Sequence, residues 1–124
     1  MQVDEKIAQS LRSAAIYVEK TTSALGKGDA DLFDDSLWHG TEELEYALFL
    51  FSLRVQQETD TSKWKPRTEN TKTEAGPLLE SVRTILDEAE KSLSNGELLA
   101  AYKKAYAARQ CLLGIQKGLA RKKR

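Results

Sequence analysis

The chain holds one cysteine, Cys111, and one histidine, His39, in 124 residues. With a single thiol no intramolecular disulfide can close, and a cysteine-based metal site has nothing to build on. Cys111 is therefore read as a core or near-core residue. Only 2 prolines and 7 glycines are present, so helix breakers are scarce. An excess of charge of one sign is also missing: 19 basic residues balance 19 acidic ones. That balance argues against a surface designed as a whole to hold nucleic acid. No stretch approaches the roughly 20 apolar residues of a membrane span. Met1-Gln2-Val3-Asp4-Glu5-Lys6 is not a basic start leading into an apolar run. The expectation is a cytoplasmic protein with no membrane partner.

One histidine removes most histidine-dependent chemistry. A ferritin-like di-iron centre needs carboxylates with paired Glu-x-x-His motifs. Here His39 lies near Asp35, Glu42 and Glu43, with no second histidine on another helix. A phosphotransfer helix carries His-x-Leu-Lys-Gly, whereas Trp38-His39-Gly40-Thr41-Glu42 puts an acid where a phosphoryl group needs cations. Four-helix nucleases of the toxin type place an arginine four to six residues before their histidine, and the nearest upstream arginine is Arg12. Gly26-Lys27-Gly28 lacks the later Gly-Lys-Ser/Thr and the preceding strand of a phosphate-binding loop. No nucleophile, base and orienting group can be assembled from one histidine and one cysteine. No catalytic residue, metal or cofactor is expected, and no small-molecule substrate is evident.

What the chain does have is helical periodicity. Val3, Ile7, Leu11, Ala14, Val18, Thr21 and Leu25 recur at steps of three and four, which predicts a first helix over about 3–26. Gly26-Lys27-Gly28-Asp29 offers a glycine for a left-handed stop and an aspartate to cap the next helix. The second helix is expected over 30–58, with Leu37, Leu44, Leu48, Phe51 and Val55 as its stripe. Thr59 to Glu74 is polar and reads as a long loop; its 16 residues reach about 50 Å when extended. That is enough either to turn back or to cross a helix, so the helices could run up-and-down or cross over. Gly76-Pro77 is expected to open the third helix, with Pro77 at its first position. Its stripe is Leu79, Val82, Leu86, Ala89 and Leu93, widened by Leu78 and Ile85. Asn95-Gly96-Glu97 repeats the stop and restart, and Leu98, Ala101, Ala105, Ala108, Leu112, Ile115 and Leu119 trace a fourth helix to about 121. The three alanines allow a neighbouring helix to approach closely.

A shift of 68 positions brings Leu11 onto Leu79, Ser13 onto Ser81, Leu25 onto Leu93, Gly28 onto Gly96 and Leu44 onto Leu112. Helical periodicity alone aligns leucines, but it does not align a turn glycine. The expected fold is a single all-α domain over 1–124: a four-helix bundle of two antiparallel hairpins, about 3–58 and 77–121, joined by a polar loop over 59–76.

Within the second hairpin, Ile85-Leu86-Asp87-Glu88-Ala89-Glu90, Leu93, Asn95-Gly96-Glu97, Ala101-Tyr102 and Tyr106-Ala107-Ala108 resemble a small archaeal helical-hairpin family of unknown function. The shared pattern is leucine, acid-alanine, a glycine-acid turn and an alanine-rich return, a form that tetratricopeptide-like hairpins also approach. The resemblance implies the fold and no activity.

Two features point to binding. Tyr46-Ala47-Leu48-Phe49-Leu50-Phe51-Ser52-Leu53 is apolar around the whole helical circumference, and a helix greasy on every side must be covered on every side. Leu44, Leu48, Phe51 and Val55 belong to the bundle's own stripe, so Tyr46, Phe49, Leu50 and Leu53 are the candidate interface. Charge is also segregated along the chain. From Asp29 to Glu45 there are seven acids and no Lys or Arg; after Glu97 there are only bases. A dipolar molecule whose ends prefer different partners is expected. Lys117, Arg121, Lys122, Lys123 and Arg124, with Lys63, Trp64, Lys65 and Arg67 from the loop, are candidate phosphate and base contacts. The first expectation is a non-enzymatic bundle acting by protein association, with itself or with a partner, through the second helix. The second is an RNA- or DNA-binding accessory protein.

Overall fold

The computed structural model describes residues 2–58 and 75–122, and the side chains of 4–55 and 75–118. The segment 59–74, with Lys63, Trp64, Lys65 and Arg67, lies outside the described residues. So do Lys123 and Arg124, and the side chains of Val3, Leu119, Arg121 and Lys122. The described chain forms α1 (Gln2–Lys27), α2 (Ala30–Glu58), α3 (Ala75–Ser94) and α4 (Leu98–Lys122). Among the described residues there is no strand, and no helix is long and apolar enough to cross a membrane.

Both hairpin turns form by the expected chemistry. Gly28 and Gly96 take positive φ, 71° and 79°, which only glycine adopts without strain. The Asp29 carboxylate accepts the N–H of Leu32 at 3.1 Å, capping α2. Helix α3 begins at Ala75 rather than at Gly76-Pro77, so Pro77 is the third residue of the helix. It is accommodated there because the first four N–H groups of a helix have no intrahelical partner.

α1 packs on α2 and α3, while α4 packs on α3 and α2, leaving α2 and α3 on the diagonal. Polar contacts fix the directions. Asp4 pairs with Arg54, and the Thr21 hydroxyl donates to Ser36 Oγ at 3.0 Å, so α1 and α2 are antiparallel. Arg12 pairs with Glu90 at 2.6 Å and Glu19 with Arg83, so α1 and α3 are antiparallel. Glu45 pairs with Arg109, and Gln116 donates to Thr41 Oγ1 at 3.0 Å, so α2 and α4 are antiparallel. The two diagonal helices are therefore parallel. The end of α2 lies with the start of α1, and the start of α3 lies beside Leu25 at the end of α1. Of the two connectivities that loop length allows, the bundle has the crossover.

The 68-residue repeat is expressed in the packing. Leu11 and Leu79, Ala14 and Val82, Val18 and Leu86, Phe33 and Ala101, Leu37 and Ala105, Leu44 and Leu112, and Ala47 and Ile115 are all buried. The two hairpins thus meet about an approximate twofold axis, each supplying half of one core. Ile7, Leu11, Leu44, Phe51, Leu79, Leu86 and Leu112 are its largest fully buried members. Cys111 is half-buried and packs against this core.

Two expected positions are corrected. Leu25 is exposed, and Ala24 takes the buried place, because the stripe of α1 steps three residues beyond Thr21 rather than four. Leu50 is only 7% exposed. It lies one turn from Arg54, which reaches Asp4 of α1, so it fills the seam between α2 and α1 instead of awaiting a partner.

Candidate association surface

α2 has neighbours on two sides, and its inner face (Phe33, Leu37, Leu44, Ala47, Leu48, Phe51 and Val55) is consumed by the bundle. Its outer face carries a second apolar stripe. Trp38, Tyr46, Phe49 and Leu53 are 57%, 47%, 58% and 43% exposed. At 3.6 residues per turn, Phe49 lies three turns beyond Trp38, and Tyr46 and Leu53 lie one turn before and after it. The structure therefore brings together Tyr46, Phe49 and Leu53 of the expected interface, removes Leu50 and adds Trp38. Trp38 was detectable from its spacing of 11 to Phe49, but the apolar run that drew attention begins at Tyr46 and leaves it out.

Acids accompany this stripe. Asp31, Asp35 and Glu42 are exposed on α2, and no Lys or Arg among the described residues forms an ion pair with any of them. Glu45 is engaged by Arg109, whose guanidinium also lies 5.6 Å from the Tyr106 ring. His39 sits between Asp35 and Glu42, its Nε2 3.4 Å from one carboxylate and its Nδ1 3.7 Å from the other. Its ring lies 5.3 Å from that of Tyr17 on α1. These groups line the outside of the bundle, and no set of three His, Cys, Asp or Glu among the described residues is placed to hold a metal ion.

The expectation that acidic and basic ends face different ways is also corrected. Gln116 bonds Thr41 and Arg109 pairs with Glu45, so the basic end of α4 runs alongside the acidic start of α2. Both charge blocks share one end of the bundle. Of the candidate phosphate contacts, Lys117 is exposed there, while Arg121 and Lys122 continue the helix.

Beside the outer face of α2 lies that of α4, where Tyr106 is half-buried and meets Tyr102 edge-on, their centroids 6.5 Å apart. Tyr102 packs at 5.9 Å on Phe51, and burial pushes its hydroxyl pKa above the usual tyrosine value, with Tyr106 adding to the shift. On the opposite side, a shallow groove between α1 and α3 is lined by Ile16, Lys20, Leu79 and Glu80 and bridged by the Glu19–Arg83 pair. It holds no group poised for chemistry. The chain matches no family model, no curated protein and no solved structure.

Proposed function

We propose that this bundle works by associating with another protein chain through the outer face of α2, without chemistry of its own. One observation carries the reading: Trp38, Tyr46, Phe49 and Leu53 form an exposed apolar stripe on a helix whose inner face already serves the core. Large apolar patches on soluble chains mark interaction sites, and aromatic side chains supply most of the energy at such sites.

The test compares wild type with Phe49→Glu and Trp38→Glu. Sedimentation velocity reports self-association, and affinity purification from the source cells reports a second protein. Because both residues are exposed, the variants are expected to keep the wild-type helical signal and melting temperature. They are expected to lose either the oligomer or the co-purifying chain. A wild-type monomer with no companion that depends on Phe49 overturns the proposal. If that monomer instead shifts RNA with a steep dependence on salt, the basic end is the working surface.

A further inference from the structure

The approximate twofold makes the outer faces of α2 and α4 counterparts, and their chemistry is opposite. The shift of 68 carries Trp38 onto Tyr106, Glu42 onto Gln110, and Phe49 onto Lys117. Thus α2 presents Asp31, Asp35 and Glu42, which pair with no Lys or Arg among the described residues, while the sequence from Leu98 onward contains no acid. The two ridges lie side by side on one face of the molecule, antiparallel, at levels set by the Glu45–Arg109 pair and the Gln116–Thr41 hydrogen bond. Phe49 and Tyr106 lie one turn beyond the first of these contacts. Trp38 and Lys117 lie within a turn of the second.

We propose that a second copy of this chain covers this face, turned about a twofold axis parallel to the helices, so that α2 of each copy lies on α4 of the other. The inference rests on the association reading above and names its partner. A rotation about an axis parallel to the helices preserves level. Phe49 therefore meets the partner's Tyr106, and Trp38 meets the partner's Lys117 between the carboxylates of Asp35 and Glu42. The alternative twofold, perpendicular to the helices, stacks α2 on α2 and sets acid against acid and base against base. Like charges brought together across an interface are repelled, which selects the first arrangement. The face is large enough: two helices about 40 Å long and 20 Å across present on the order of 800 Å² per chain, the size of a standard specific interface.

Charge reversal in two separate chains tests the arrangement. Glu42 and Lys117 are both exposed, and neither is ion-paired to a group of opposite fixed charge among the described residues. Each variant's fold is checked by its circular dichroism and melting temperature. Glu42→Lys alone and Lys117→Glu alone are each expected to weaken the dimer about tenfold at low salt, since two contacts per dimer turn repulsive. Mixed together, the two variants are expected to form a heterodimer close to wild-type strength, because each α2 then faces an α4 of opposite charge. Contacts within one chain cannot produce that rescue. If Glu42→Lys pairs with wild type more tightly than wild type pairs with itself, α2 faces α2 and the proposal is overturned. It is also overturned by a dimer indifferent to both reversals, or by a wild type that stays monomeric at high micromolar concentration. In these outcomes the broader association reading is judged separately, by whether Phe49→Glu releases a co-purifying chain.

Discussion

Neighbouring residues on α2 carry opposite roles. Phe49 is 58% exposed and Leu50 is 7% exposed. Leu50→Ala is expected to destabilise the monomeric fold by about 2–5 kcal/mol, through lost burial and the cavity left behind. Phe49→Ala is expected to change it by no more than about 0.5 kcal/mol. Urea unfolding at concentrations where the chain is monomeric measures both; equal losses would mean that the two residues share one environment. Hydropathy could not make this distinction, because the run 46–53 is apolar at nearly every position. What separates the two residues is the direction of the neighbouring helices. The outer apolar face was therefore partly readable: Tyr46, Phe49 and Leu53 are exposed on it, Leu50 is not, and Trp38 had to be found by its spacing.

At the scale of elements, the helices followed from local rules. Glycine and an acid reset the chain twice, and the apolar steps of three and four locate most of the buried apolar positions but not Ala24, Phe33, Ala47 or Leu50. One failure falls at a helix end, where the stripe steps by three instead of four and leaves Leu25 exposed, and another falls in the middle of α2, where Leu50 is buried. The start of α3 at Ala75 likewise precedes the Pro77 signal. The turns are the most exacting element, since both glycines hold positive φ. Gly28→Ala and Gly96→Ala are each expected to lower stability by about 1–2 kcal/mol, the strain of a Cβ in the left-handed region. Space is not limiting, because a Cβ at either position meets nothing within 4 Å. Chemical denaturation of the two variants would show similar losses. A neutral result at one turn would mean that its backbone relaxes to negative φ.

For the whole molecule, the sequence led to a bundle of two hairpins but left the connectivity open, because a polar loop long enough to cross a helix is also long enough not to. Pairing of distant helices decides it, through Arg12–Glu90, Glu19–Arg83 and Glu45–Arg109, contacts between residues far apart in the chain. The same pairing overturns the picture of oppositely charged ends, since a dipole along the sequence need not survive antiparallel packing. A short bismaleimide should join Leu25→Cys to Gly76→Cys within one chain, in a Cys111→Ser background, because a Cβ at Gly76 would lie 3.7 Å from Leu25. An up-and-down bundle would instead place the start of α3 near Val55. Cross-linking of Val55→Cys to Gly76→Cys in preference would refute the crossover.

The size pattern of the paired halves also makes them unequal partners. Phe51 enters the core at the level of Tyr102, where the inner positions of α4 are Ala101 and Ala105. The corresponding residues of the first hairpin are Phe33 and Leu37. Two copies of the first hairpin, pairing as the two halves do, would crowd Phe51 against Phe33 and Leu37, a volume this core does not contain. The alanines of α4 thus act as a discriminator. They direct each first hairpin to a second hairpin, and a chain built as a near-repeat is kept from closing on a copy of its own first half.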